Sequence, residues 1–125
     1  MPKVLLVDDD RAQTFLLAKF ARWAGFEPVE CHYARDCMAM VEGLRPDVIV
    51  LDLTMPGMTG FDIADEIMDN LDLRPKRLIA VTADNSDEAR RRTADHGFDH
   101  HFVKPIAADA FLAALSIPDS PKPSI

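Results

Sequence analysis

The chain has 125 residues, 48% of them apolar and 28% charged, with a formal net charge of −7. That size and mix fit one globular domain able to bury its own core without disulfides or a structural metal. The acidic balance argues against nucleic acid as a direct partner, and no apolar run approaches the roughly 18 residues a membrane span needs.

Lys3 to Val7 reads as a buried strand that ends in Asp8-Asp9-Asp10. It lacks the apolar core and cleavage site of a secretory signal, so a cytoplasmic location is expected. Arg11 to Ala24 follows as a helix, with Gly25 as its stop. Ala12, Phe15, Leu16, Phe20 and Trp23 share one stripe of the 3.6-residue period and are expected to face the core. Asp10 has Gln13 three residues on, a variant of the capping-box spacing. Asp10 thus has a structural role available, whereas Asp8 and Asp9 have none.

Phe26 to Cys31 is a weaker strand whose Pro28 suits a sheet edge. Ala34 to Leu44 is a second helix with Cys37, Met38 and Val41 inward. Without a secretory signal, Cys31 and Cys37 read as buried thiols rather than a bridge. Val48 to Leu51 is an unbroken apolar, β-branched run, the pattern of a strand covered on both faces in a parallel sheet. It ends in Asp52 and a turn built from Thr54, Pro56 and Gly57.

Gly60 to Asn70 is a third helix with Ile63, Ala64, Ile67 and Met68 inward, and Leu71 to Lys76 a charged connection. Arg77 to Val81 is a fourth strand handing over to Thr82. Ser86 to His96 is a mostly polar helix ended by Gly97. His100 to Val103 is a short fifth strand leading to Lys104-Pro105, and Ala107 to Leu115 a last helix. One domain is expected over residues 1–117, with 118–125 a flexible Pro- and Ser-rich tail.

Five strands alternating with five helices predict an α/β fold: a doubly wound five-stranded parallel sheet flanked by five helices. The right-handed crossover rule and two strongly apolar strands, the first and third, favour the order 2-1-3-4-5. The site is then expected at the switch point between strands one and three. In that topology Asp8, Asp9, Asp52, Thr82 and Lys104 all stand at strand ends on one edge of the sheet. Three carboxylates packed together repel unless a cation joins them. An all-oxygen ligand set suits Mg²⁺. A hard cation beside a lysine suits a phosphoryl group, and an ionised carboxylate there can be its nucleophile.

Leu6-Val7-Asp8-Asp9-Asp10, Val50 to Gly60, Val81-Thr82-Ala83 and Val103-Lys104-Pro105 together resemble the receiver domain of two-component response regulators. The resemblance covers about Lys3 to Ile117. It implies that Asp52 is the phosphoacceptor. It implies that Asp8 and Asp9, with the backbone carbonyl of Thr54, hold Mg²⁺ alongside Asp52. Thr82 would move toward the phosphoryl group, Lys104 would pair with it, and the Lys104-Pro105 bond would be cis. A histidine kinase or phosphotransfer protein would be the donor. Output would pass to another protein through helix four, strand five and helix five, a face that would also serve a homodimer. Ala110 to Leu115, apolar nearly all round, fits such an interface and equally fits tight packing.

One departure stands out. The family usually carries Tyr or Phe three residues before the lysine as a switch coupled to the threonine. Here that position is His101, while the aromatic Phe102 should face the other way by strand alternation. His101 as a swinging switch and His101 as a plain surface histidine are both open. The run Asp99-His100-His101 resembles receivers of hybrid histidine kinases. Two other functions share parts of this pattern. A phosphatase of the haloacid-dehalogenase type wants a second acid two residues after the nucleophile, where this chain has Thr54 and no cap domain. A degenerate receiver that only binds partners would not need the complete set of acids, Thr82 and Lys104.

Overall fold

The computed structural model describes residues 1–55 and 59–115. In chain order these form β1 (Lys3–Val7), α1 (Arg11–Trp23), β2 (Glu27–Cys31), α2 (Ala34–Leu44), β3 (Val48–Asp52) and α3 (Gly60–Asp69). A short 3-10 turn, Leu71–Leu73, precedes β4 (Arg77–Thr82), α4 (Asp87–Asp95), β5 (His100–Val103) and α5 (Ala108–Leu115). The five strands make one parallel sheet in the order β2-β1-β3-β4-β5, as expected. Pro28 lies on the edge strand β2, where its missing N–H costs least. The expected tail, and Pro56 and Gly57 of the expected turn, lie outside the described residues.

Strand alternation divides the core. Val4, Leu6, Val48, Val50, Ile79 and Val81 point to the face covered by α1 and α5, where Leu17, Ala18, Ala21 and Phe111 are buried. Leu5, Val7, Ile49, Leu51, Leu78 and Ala80 point to the opposite face, against Cys37 and Val41 of α2 and Ile63 and Ile67 of α3. This two-sided burial is why the central strands read as continuous apolar runs. Both cysteines are buried and unbridged. Among the described residues no helix is long and apolar enough to cross a membrane.

The stripe expected to bury α1 is corrected. Thr14, Leu17, Ala18 and Ala21 face the core and Phe20 packs against it partly buried, as expected, while Ala12 is exposed and Phe15, Leu16 and Trp23 are 56%, 45% and 80% exposed. Both stripes satisfy the 3.6-residue period, so periodicity alone does not choose between them. Size does: Ala18 and Ala21 let the helix lie close to β1, β2 and α5, where large rings would hold it off. Lys19 extends its ammonium 4.6 Å from the Phe15 ring centroid, covering part of the outward aromatic face.

The elements end for local reasons. The Asp10 side chain accepts from Ala12 N–H and Gln13 N–H at the start of α1. Ser86 does the same for α4 through Ala89 N–H, and Thr59 for α3 through Asp62 N–H. Gly60 is required by contact. A Cβ there would lie 2.8 Å from the Asp52 carbonyl oxygen and 2.9 Å from Leu53 Cα, both backbone atoms. That close approach brings the first turn of α3 against the end of β3, directly below the candidate site.

Candidate functional site

The sheet delivers its polar strand ends to one rim. Asp8 follows β1, Asp52 ends β3, Thr82 ends β4 and Lys104 follows β5. The register holds them level: Leu53 N–H donates to Val81 C=O at 3.0 Å and Lys104 N–H donates to Thr82 C=O at 2.8 Å. Asp8, Asp52 and Thr82 are buried polar groups, and buried charge needs partners.

Those partners are present. Lys104 Nζ lies 3.1 Å from Asp8 Oδ2 and 3.5 Å from Asp52 Oδ2. Asp52 Oδ1 accepts the Thr54 N–H at 3.1 Å, and Asp8 Oδ1 accepts the Asp10 N–H at 2.9 Å. Asp9 is exposed, and carboxylate oxygens of Asp8, Asp9 and Asp52 lie within 4.8 Å of one another. The charge does not balance: one ammonium stands against three carboxyl groups. Burial raises the Asp52 carboxyl to about 6; the Thr54 N–H and Lys104 oppose that rise and the nearby Asp8 carboxylate adds to it. Lys104 itself is shifted upward. Burial alone would lower it, but Asp52 and Asp8 outweigh burial.

An all-oxygen cluster of two buried acids and one exposed acid, short of positive charge, fits a hard divalent cation that keeps part of its water shell. Asp8, Asp9 and Asp52 are the residues whose side chains would hold it. Thr54 is exposed, and its N–H is engaged with Asp52.

Thr82 is buried at its strand end, and its Oγ1 accepts the Asp84 N–H at 3.1 Å. Thr54, Thr82 and Asp84 line an open groove of about 440 Å³ that runs on to Phe61 and Arg92. The Lys104-Pro105 bond is cis, as the sequence led one to expect.

His101 is not brought to the carboxylates. Its Nδ1 lies 3.0 Å from Thr93 Oγ1 on α4, and its Nε2 lies 3.2 Å from the Asp84 carbonyl oxygen. His100 and Phe102 stack on each other, ring centroids 6.0 Å apart, and Phe102 packs toward the α1–α5 core as alternation required. Thr93 is the participant sequence reading did not find. It sits in a polar helix with no motif around it, and only its burial marks it.

Residues 4–116 match the family model described as the response regulator receiver domain. The chain belongs to that family. Among curated relatives, the response regulator MprA of Mycobacterium avium is 30% identical over 113 residues, covering 90% of this chain and 49% of that protein. MprA of Mycobacterium tuberculosis is likewise 30% identical, with 48% of its length matched. The chain thus spans about half the length of the curated relatives it matches. The chemotaxis protein CheY4 of Vibrio cholerae superposes with a TM-score of 0.84 at 28% identity, over 92% of this chain and 96% of that one. The signal receiver domain of a LuxO repressor protein from Vibrio parahaemolyticus does so at 0.84 and 29%, over 91% and 86%. The receiver is a phosphoacceptor signalling module of two-component systems rather than a conventional enzyme.

Proposed function

We propose that this receiver takes a phosphoryl group onto Asp52 from a phosphohistidine of a histidine kinase or phosphotransfer protein. Asp52 and Asp8, both buried and both within 3.5 Å of Lys104 Nζ, carry the reading. An Asp52 oxygen forms the new bond to phosphorus while the phosphorus–nitrogen bond of the donor breaks, and the leaving imidazole takes up a proton. Mg²⁺ bound by Asp8, Asp9, Asp52 and the Thr54 carbonyl would supply charge neutralisation for the phosphoryl oxygens. Lys104 is held where it can pair with one of those oxygens after its bond to Asp52 is given up. Thr82 offers its hydroxyl to another, and His101 takes part in the resulting switch. The altered surface of α4, β5 and α5 would then meet a downstream protein or a second copy of the chain on the cytoplasmic side.

The first test is incubation with acetyl phosphate and Mg²⁺, read by intact mass. One phosphoryl adduct is expected, absent without Mg²⁺ and absent in Asp52→Asn. An adduct that persists in Asp52→Asn would overturn the assignment of the acceptor. Steady turnover of simple phosphomonoesters would favour a phosphatase. No adduct from any small donor would leave a receiver that only binds partners.

A further inference from the structure

Both cysteines are buried, and the reaction proposed above uses neither. Cys31 ends β2 and Cys37 closes the first turn of α2, and both pack into the core face that holds Val7, Val41 and Leu51. Tyr33, the N-cap residue of α2, joins them. Its carbonyl accepts the Cys31 thiol at 3.3 Å and the Asp36 N–H at 3.1 Å. The Cys31 sulfur is therefore held against the opening turn of α2, and the residue after Asp36 is Cys37. The thiols act on each other: Cys37 lowers the Cys31 thiol to about 7, and Cys31 raises that of Cys37, with burial adding to the rise. Packing accounts for either cysteine alone as a small hydrophobe. A facing pair has a reaction open to it as well, and in a reducing compartment a bridge that does form is usually transient and catalytic or redox-sensing.

Cys31 is also tied to the acidic rim. It pairs with Val7 in the sheet, and its carbonyl accepts the Asp8 N–H at 3.0 Å. Asp8 Oδ2 in turn lies 3.1 Å from Lys104 Nζ. We propose that Cys31 and Cys37 form a reversible disulfide under a peroxide oxidant, and that closing it displaces the Cys31 carbonyl and weakens the cation site at Asp8. The Cys31 sulfur attacks one peroxide oxygen and the O–O bond breaks. The departing hydroxide takes the Cys31 proton and leaves as water, and Cys31 becomes a sulfenic acid. The Cys37 sulfur then attacks the Cys31 sulfur and the S–O bond breaks, the hydroxide taking the Cys37 proton as a second water. The two thiols have given two electrons and two protons to the peroxide, and a dithiol reductant reverses the bridge by exchange. A disulfide holds its sulfurs about 2.05 Å apart. Cys31 must therefore give up its bond to Tyr33, and the end of β2 is drawn toward α2. The effect on Asp8 rests on Asp8, Asp9 and Asp52 being the cation site; the disulfide itself does not.

The test treats the full chain with hydrogen peroxide, removes the oxidant, unfolds and alkylates the protein with N-ethylmaleimide, and maps the peptides by mass. The untreated chain should be alkylated at both cysteines. The treated chain should be alkylated at neither, with Cys31 and Cys37 joined at the loss of two hydrogens, and dithiothreitol should restore both thiols. In Cys37→Ala, which has no second sulfur, the reaction should stop at a Cys31 sulfenic acid that dimedone traps. Thiols that stay alkylatable in the treated parent, or a bridge found only between two chains, would overturn the disulfide; because that readout needs no variant, it stands even if Cys37→Ala folds poorly. Calorimetric titration with Mg²⁺ then compares the oxidised and reduced parent. Binding to the oxidised form should be about tenfold weaker, the scale on which disturbing a partner of a metal ligand acts. Equal affinities would leave a bridge that signals nothing and would overturn the effect on Asp8. No Mg²⁺ binding to the reduced parent would instead sink the cation reading beneath it, a failure the thiol mapping does not share.

Discussion

Replacing Asp52 by Asn should make the metal-free protein more stable, increasingly so as pH rises. Burial pushes the Asp52 carboxyl up to about 6 from an ordinary 3.8. An acid raised in this way holds its proton more tightly in the folded state than in the unfolded one. Between about pH 4 and pH 6 the folded state binds more protons, so stability falls as pH climbs through that window. A rise of about two units, at about 1.36 kcal/mol each, amounts to roughly 3 kcal/mol lost by pH 7. Asn has the same shape and still accepts from the Thr54 N–H, but it carries no charge to desolvate. Urea unfolding of both proteins with chelator present, from pH 4 to pH 8, gives the comparison. The curves should nearly coincide at pH 4 and separate to roughly 3 kcal/mol at pH 7.5, with melting temperatures about 10 °C apart. Saturating Mg²⁺ should close the gap, because the parent gains about 2.7 kcal/mol at a hundredfold excess over the dissociation constant and the Asn variant loses a ligand. A gap that does not vary with pH, or an Asn variant that is the weaker protein at neutral pH, would refute the reasoning.

Three further outcomes are expected. Gly60→Ala drives a Cβ into the Asp52 carbonyl and Leu53 Cα, and urea unfolding should show a loss of about 1–3 kcal/mol, with slower labelling by acetyl phosphate as the end of β3 is displaced. Leu17→Ala should cost about 2–5 kcal/mol, whereas Phe15→Ser and Trp23→Ser should stay within about 0.5 kcal/mol; the reverse ranking would restore the discarded face of α1. Lys104→Met strips Asp8 and Asp52 of their shared cation. It should destabilise the metal-free protein by about 1–2 kcal/mol at neutral pH, less than a fully buried pair because the lysine is 28% exposed. Combined with Asp52→Asn that loss should shrink, which a double-mutant cycle measures.

How far the sequence can be read depends on which physical constraint was unique. The strands β1, β3 and β4 were legible because burial on both faces leaves unbroken apolar runs of four, residues 4–7, 48–51 and 78–81, too short for a buried helix. The strand-end residues followed from the topology, since a parallel sheet puts every C-terminal end on one rim. Asp10 as a cap could be separated from Asp8 and Asp9 by spacing alone. The face of α1 was not legible, because its aromatic stripe and its small-residue stripe have the same period and differ only in how closely they let the helix approach the sheet. The 3-10 turn Leu71–Leu73 lies inside the stretch that reads as a charged connection, and Asn70 caps it by accepting the Asp72 N–H. The surroundings of His101 were hidden for another reason. Its partners, Thr93 and the Asp84 carbonyl, come from two other elements, and a backbone carbonyl leaves no trace in residue identity.

The deficit of positive charge ties these observations together. With Lys104 as the cation beside Asp8 and Asp52, the site can lower its energy in two ways: Asp52 takes a proton, or a divalent cation enters. A protonated Asp52 would be no nucleophile, so in the proposed reaction the first route would silence the site and the second would arm it. The same burial that raises Asp52 to about 6 therefore makes its reactivity conditional on the cation, because the bare carboxylate is the costly form. A more exposed acid at the end of β3 would ionise freely and need no such help. In the function proposed for it, a buried Asp52 would answer to the assembled site rather than accept a phosphoryl group as a lone carboxylate, and the arriving charge would lie beside Lys104, whose Nζ is 3.5 Å from Asp52 Oδ2.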